Sequence, residues 1–167
     1  MEKMFKDCKK LESIKLPATV TTIGASAFES CEALTTITIP DASTITAIGN
    51  SAFKGCKKLE SIDLKTAPLV ATTGLGTSTF EGCEALTSID LSAALLTELN
   101  ATNQTTLFKG CKKLATVTVN AEKLVLIGDN IFEGTAIKDF NFPSVTALGN
   151  VFGTIAADKP NTTLETV

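Results

Sequence analysis

VTTIGASAFESCEALTTITIP, residues 20–40, is the stretch that decides the fold, because most of its pattern recurs along the chain. The recurring unit is Phe-[Lys/Glu]-x-Cys-x-x-Leu-x-x-[Ile/Val]-x-[Leu/Ile/Val], and a degenerate sixth copy begins at Phe132. A repeat of this length cannot bury its apolar face alone, so the copies must stack on their neighbours as rungs. The sequence therefore predicts a repeat solenoid. The first five rungs are anchored at Phe5, Phe28, Phe53, Phe80 and Phe108.

Each repeat ends in alternating apolar and polar residues, the period of a strand with one buried face. Because all repeats run in the same direction, stacking pairs these strands in parallel. The predicted strands are Ser13 to Pro17, Thr36 to Pro40, Ser61 to Lys65, Ser88 to Ser92, Thr116 to Asn120 and Asp139 to Pro143. Their predicted inward residues are Ile14, Leu16, Ile37, Ile39, Ile62, Leu64, Ile89, Leu91, Val117, Val119, Phe140 and Phe142.

The strand is followed by a return limb, a second apolar stretch that leads to the next anchor Phe. This limb is too short for a long helix, so we expect one or two helical turns around Ala-Phe-x-x-Cys and irregular structure elsewhere. The anchor phenylalanines then form a column on the convex side. We expect a single domain of about seven rungs over residues 1–167, as a piece of a longer protein, because neither end carries an atypical polar cap.

Charge alternates from rung to rung at two positions, directly after each anchor Phe and directly after each Cys. Stacking turns both series into ladders, in which each exposed pair contributes about 0.2 to 1 kcal/mol. A slip by one rung would bring like charges together, so we interpret the ladders as devices for register and solubility. A recent duplication of a two-repeat unit would produce the same pattern. The series are Lys6, Glu29, Lys54, Glu81, Lys109, Glu133, and Lys9, Glu32, Lys57, Glu84, Lys112.

Composition excludes several classes of function. The net charge of −3 comes from 15 basic and 18 acidic residues mixed throughout, so no basic stripe is present to attract nucleic acid. No stretch approaches the roughly 18 consecutive apolar residues of a membrane span. Histidine, the commonest general base, is absent, which argues against an enzyme. The segment Gly74-Leu-Gly76 lacks the strand, helix and acidic residue of a phosphate loop, so we expect a turn there and no cofactor.

Five cysteines occupy one repeat position and therefore form a column. Neighbours one rung apart lie within reach of a disulfide, but the odd number and the place beside the Phe column favour free, buried thiols. Zinc requires clustered ligands with short spacing, and the chain has no Cys-x-x-Cys, so we expect no metal. These residues are Cys8, Cys31, Cys56, Cys83 and Cys111.

Asp63 and Asp90 occupy the same outward strand position on adjacent rungs. Such a pair is suited in principle to acid and base chemistry or to a weak cation site. The alternative, which we favour, is two solvated carboxylates on an open sheet without a pocket that excludes water.

The outward strand residues are the remaining candidates for function, since solenoids commonly bind partners on an extended sheet. These side chains are short, whereas interface hot spots favour Trp, Tyr and Arg, so a soluble surface without a ligand stays an alternative. The candidate ligand-binding residues are Thr36, Thr38, Ser61, Asp63, Ser88, Asp90, Thr116 and Thr118.

The motif Leu-x-x-Ile-x-[Leu/Ile]-Pro, followed by Val-x-x-Ile-Gly-x-x-Ala-Phe-x-x-Cys, resembles the BspA-like (Treponema pallidum type) class of leucine-rich repeats. Residues 34–40 and 20–31 carry the resemblance most clearly. It implies an α/β repeat solenoid: a right-handed leucine-rich-repeat stack with a concave parallel β-sheet. It also implies an exported or surface-anchored protein that binds proteins of a host or a neighbouring cell.

We therefore expect a non-enzymatic protein-binding or adhesion module of a surface or secreted protein. The alternative is a structural spacer or a self-associating scaffold without a dedicated ligand site, whose stacks pack end to end.

Overall fold

The computed structural model describes residues 2–40, 44–64, 66–69, 74–99, 106–120, 122–138, 142 and 144–152. Within these residues it contains short parallel strands and no helix. The strands are β1 Ser13–Lys15, β2 Thr22–Ile23, β3 Thr36–Thr38, β4 Ala47–Ile48, β5 Ser61–Ile62, β6 Ser88–Leu91, β7 Glu98–Leu99, β8 Thr116–Val119, β9 Leu126–Ile127 and β10 Ala147–Leu148.

The first layer is formed by the strands that the alternation predicts. β1, β3 and β5 form one parallel sheet, and β6 pairs with β8 in another. Five predicted strands are thus confirmed, although each is shorter than expected, and the sixth, Asp139 to Pro143, lies largely outside the described residues. The predicted inward residues Leu16, Ile37, Ile39, Ile62, Leu64, Ile89 and Leu91 are buried, and Ile14, Val117, Val119 and Phe142 are partly buried. Phe140 lies outside the described residues.

The return limbs form a second layer of parallel pairs, which the sequence did not predict. β2 pairs with β4, and β7, β9 and β10 pair in the order β7, β9, β10. Leu75 joins Ile48 in an isolated parallel bridge. Adjacent limbs lie so close that a Cβ on Gly49 would be 2.6 Å from the backbone nitrogen of Ala25. The recurrent Ile-Gly pair is therefore explained by close approach between rungs.

The third side of each rung is a turn around the anchor Phe, where the described residues contain none of the expected helical turns. Ser26 and Ser30 have φ values of 54° and 60°, which a right-handed helix does not allow. This backbone directs its amides towards the next rung: Phe28 N donates to Ala52 O and Ser30 N to Lys54 O, both at 2.8 Å. The irregular alternative therefore describes these segments.

The anchor phenylalanines form the predicted column. Six rings, from Phe5 to Phe132, stack with centroids 5.2 to 5.7 Å apart and interplanar angles of 9° or less. All of them except Phe5 are fully buried. Burying such a side chain contributes about 1.5 to 3 kcal/mol, so the column is a large part of the core.

The cysteines are free, as predicted; four are buried and Cys8 is exposed. Each buried thiol donates a hydrogen bond to the carbonyl of the anchor Phe in the preceding rung. In rung six, Thr135 replaces the Cys, and its hydroxyl bonds instead to the carbonyl of Phe132 in its own rung at 2.9 Å. The four thiol bonds are Cys31 to Phe5 at 3.0 Å, Cys56 to Phe28 at 3.1 Å, Cys83 to Phe53 at 3.2 Å and Cys111 to Phe80 at 3.0 Å.

Burial also makes these thiols unreactive. It raises the pKa of Cys31 to about 11 and that of Cys111 to about 12, and it raises the pKa values of Cys56 and Cys83 as well. Because the thiolate is the nucleophile, a raised pKa lowers the reactive fraction at neutral pH.

The two charge ladders are formed, and each joins different pairs of neighbouring rungs. The ladder after Phe joins rungs one to two, three to four and five to six, whereas the ladder after Cys joins rungs two to three and four to five. Each interface between consecutive rungs, from one to six, therefore carries an ion pair. The pairs are Lys6–Glu29 at 2.9 Å, Lys57–Glu32 at 3.4 Å, Lys54–Glu81 at 3.0 Å, Lys112–Glu84 at 3.0 Å and Lys109–Glu133 at 3.0 Å.

Glu81 is held in its ladder by hydrogen bonds from three side chains. Burial pushes the pKa of its carboxyl upward, but hydrogen bonds from Ser78, Lys54 and Thr106 outweigh burial and lower it. The Lys54 and Thr106 bonds measure 3.0 and 3.2 Å. The ionised carboxylate is thus the form that the fold stabilises.

We predict that one thiol, Cys8, reacts readily with a thiol reagent in the native chain at pH 8, and that all five react after unfolding. The Cys8→Ser variant is the control and is expected to show no fast thiol. Reaction of two or more thiols in the native chain would contradict the burial of the column.

We predict that Glu81→Gln destabilises the chain by about 1 kcal/mol at pH 7 and that this difference shrinks in acid. A carboxyl whose pKa is lowered by folding contributes stability above its unfolded pKa, and this contribution is lost as the pH falls through the folded pKa. Urea midpoints between pH 7 and pH 3 measure the effect, with the exposed Glu122→Gln as the matched control. A difference between parent and Glu81→Gln that stays constant down to pH 3 would contradict the prediction.

Candidate functional site

The candidate residues lie on the outer side of the first layer, in two columns that we call the strand face. The register pairs Ser13 with Thr36 and Thr36 with Ser61 in the first column, and Lys15 with Thr38 in the second. Further along the stack, Ser88 pairs with Thr116 and Asp90 pairs with Thr118. The side chains of one column therefore follow one another at the strand spacing of about 4.8 Å.

The columns continue across the junction between β5 and β6, although these strands belong to separate sheets. Glu60 N donates to Thr35 O at 3.2 Å, Thr87 N donates to Glu60 O at 3.3 Å, and Ala115 N donates to Thr87 O at 3.0 Å. The same backbone position thus bonds from rung to rung. Asp63 and Asp90, each three residues after this series, occupy equivalent places on adjacent rungs, as the sequence predicts.

Seven of the eight candidate residues are exposed, and Asp90 is half-buried. The Asp90 carboxylate accepts a hydrogen bond from the backbone nitrogen of Ser92 at 2.9 Å, which closes the turn after β6. Asp90 therefore has a structural role beside any role in binding. Within the described part of the chain, His, Cys, Asp and Glu form no group of three or more that could hold a metal ion.

The chemistry that this face offers is hydrogen bonding with a few fixed charges. Its first column contains hydroxyls throughout, and the second runs Lys15, Thr38, Asp63, Asp90 and Thr118. Hydroxyl groups both donate and accept hydrogen bonds. Short polar side chains on a regular sheet suit an extended polypeptide or another flat surface better than a small molecule, which needs a concave pocket.

Two exposed apolar side chains beside the return limbs were missed by the sequence reasoning. Leu95 is 46% exposed and Val125 is 43% exposed. Val125 aligns with Thr97, to whose carbonyl its amide donates at 2.8 Å. For Val125, the available signal was an apolar residue at an outward position where Thr21, Thr46 and Thr97 stand in other rungs.

Across the described residues, no helix has the length and apolar character that a membrane span requires. The chain also has no significant match among curated proteins. Several solved structures and one family of repeat proteins do match the chain.

Three solved structures share the fold. A leucine rich cell surface protein from Faecalibacterium prausnitzii is 30% identical, with a TM-score of 0.73, over 89% of this chain and 38% of that protein. The leucine rich repeat protein of T. pallidum is 22% identical, with a TM-score of 0.64, over 92% of this chain and 78% of that one. A leucine-rich repeat protein from Eubacterium ventriosum is 20% identical, with a TM-score of 0.58, over 90% and 45%. The chain thus spans well under half the length of the F. prausnitzii protein.

The BspA type leucine rich repeat region, in six copies, matches residues 1–103 and 43–152. These ranges include every anchor Phe and every Cys described above. The repeat, the parallel strands and the structural neighbours agree with this match. The chain therefore belongs to the BspA-type family of leucine-rich repeat proteins.

Proposed function

We propose that the chain is a non-enzymatic protein-binding or adhesion module of a surface or secreted protein, and that the strand face binds the ligand. One observation carries the proposal: seven of the eight candidate residues are exposed, and all eight lie in columns along the outer side of the first layer. The recurrent Phe, Cys, Lys and Glu residues, in contrast, are engaged between rungs.

The family supports this assignment, because stacked repeats commonly present an extended sheet to protein partners. The description of the F. prausnitzii protein as a cell surface protein supports the location. The two carboxylates in the middle of the second column favour a ligand that carries a basic group opposite them. Charge complementarity of this kind increases association rates and selects partners.

We predict that the double substitution Asp63→Lys and Asp90→Lys weakens binding of a captured surface protein at least about tenfold, because it reverses the charge opposite the ligand. The measurement is a pull-down from a surface-protein extract, followed by titration of the captured protein. Unfolding midpoints show whether loss of the Ser92 contact, rather than of charge, changes the result.

The matched control is Glu98→Lys with Glu122→Lys, which makes the same change in net charge away from the strand face. It is expected to bind like the parent. Equal binding by all three chains would refute the role of the strand face, and equal loss in both double variants would assign the effect to net charge.

A structural spacer is the second candidate, favoured by the absence of Trp, Tyr and Arg from the chain.

We predict that replacing the six non-serine candidate residues with Ser abolishes capture of the ligand. The free energy of unfolding is expected to stay within about 1 kcal/mol of that of the parent. A spacer would tolerate this variant with its biological activity intact. A scaffold that self-associates through its ends would instead show a scattering mass that grows with concentration.

A further inference from the structure

Three lysines that the charge ladders do not use lie in one column of the stack. They are the second lysine after Cys in rungs one, three and five, namely Lys10, Lys58 and Lys113, and all three are exposed. The same position is occupied by Ala33 in rung two and by Ala85 in rung four, and both alanines are half-buried. We call this column of alternating Lys and Ala the lysine row.

The packing of the stack leaves the ammonium groups of the row available. The ladder lysines directly before them are engaged, since Lys57 pairs with Glu32 and Lys112 with Glu84. The row lysines form no ion pair with any residue that the structure describes. The backbone beneath them is held, because Ala85 N donates to Lys57 O at 3.1 Å. The row therefore presents ammonium groups, each with three donors, from a fixed base.

A lysine on every second rung gives the row a regular period. Paired strands of successive rungs are about 4.8 Å apart, and the stacked anchor rings have a similar spacing of 5.2 to 5.7 Å. The bases of the row lysines therefore repeat about every 10 Å, and the three of them span about 20 Å. A partner that contacts all three must carry anionic groups at a matching interval.

This period distinguishes between classes of linear polyanion. DNA carries one charge per about 1.7 Å of its axis, which is far denser than the row. In an extended polypeptide the side chains of one face recur about every 7 Å, which does not match either. One sugar of an extended polysaccharide advances by roughly the height of one rung. An acidic group on every second sugar therefore recurs at the period of the row.

The alanines of the row suit the same partner. Ala33 and Ala85 lie between the lysines, and their short side chains leave room for a neutral sugar beside each charged one. Composition did not reveal this pattern, because the glutamates of the neighbouring ladder offset the lysines in any count of charge.

We propose that the lysine row binds a linear acidic polysaccharide in which every second sugar carries a carboxylate or a sulfate. Each row lysine donates charge-assisted hydrogen bonds to one anionic group, and each alanine lies beneath a neutral sugar. This site is separate from the strand face and does not depend on the protein ligand proposed there.

Two carboxylates beside the row determine where it binds most strongly. Glu12 and Glu60 follow Lys10 and Lys58 by two residues, and both are exposed. Rung five has Ala115 at this position. Because a carboxylate repels a polyanion, we expect the lysine of rung five to contribute most. We also expect Glu60→Ala to strengthen binding about two- to fivefold at low salt.

The test titrates the chain at low salt with two fluorescent probes of eight sugars, long enough to span the row. Hyaluronan carries a carboxylate on every second sugar, and carboxyl-reduced chondroitin sulfate carries a sulfate there. Binding of either probe supports the proposal, and the tighter one identifies the anionic group. We expect Lys58→Ala with Lys113→Ala to weaken this binding at least about fivefold. We expect 1 M NaCl, with a Debye length of about 3 Å, to abolish it.

The matched control is Lys15→Ala with Lys123→Ala, which makes the same change in net charge at exposed lysines outside the row. It is expected to bind both probes like the parent.

The period is tested by Ala85→Lys, which places a lysine on each of rungs three, four and five. We expect it to strengthen binding of polygalacturonate, which carries a carboxylate on every sugar. Binding of the alternating probes is expected to stay within about twofold of the parent.

Failure of both alternating probes to bind, or equal binding by the parent and the row variant, would overturn the site. Equal loss in the row variant and the control would assign the effect to net charge and overturn it as well. Tighter binding of polyglutamate than of either alternating probe would replace the polysaccharide by an acidic protein. Equal strengthening of every glycan by Ala85→Lys would overturn the selection by period.

Discussion

The stack depends on backbone hydrogen bonds that run from each turn segment to the next rung. They require left-handed residues two positions before and two positions after each anchor Phe. A left-handed conformation costs a residue with a side chain roughly 1 to 2 kcal/mol, and in rungs three to six the second position is glycine, which avoids that cost. Because these amides point towards the following rung and the carbonyls that accept them point towards the preceding one, every rung has two different sides. The thiol of each buried Cys adds one more donor in a fixed direction.

The sequence was sufficient to predict a feature where one residue type recurs at one repeat position with a single structural role. Phe columns, buried free thiols, charge ladders and the first strands follow from period and chemistry, as Phe28, Cys31 and Glu29 illustrate. The second layer was missed because strands of two residues, such as Thr22–Ile23, are too short to show alternation. One or two helical turns were expected because the return limb is too short for a long helix. The positive φ at Ser26 and Ser30 excludes them, and propensity does not reveal it.

The candidate site has the opposite character. Its residues are outward positions that the repeat leaves unspecified, so packing neither selects nor excludes them. Register places them in columns, which the sequence did predict, but the contact between Asp90 and Ser92 depends on the local turn and could not be read from spacing. A surface built in this way can change its ligand without changing its core, since most of the strand face is exposed whereas the Phe column is buried.

Polarity and charge together make the two-rung pair the natural unit of length. Removing rung two would bring Lys6 towards Lys54 and Lys9 towards Lys57, whereas removing rungs two and three together would place Lys6 against Glu81 and keep the alternation. Each like-charge contact costs only a fraction of a kcal/mol on an exposed surface, and the one new junction would contain two of them. The shape of the rungs alone allows any number of them, since the Phe ring repeats in rungs one to six and the buried thiol in rungs two to five. The charge ladders therefore favour stacks that gain or lose two rungs at a time, which the shape of the rungs does not. They also favour a Glu rung on each side of every Lys rung.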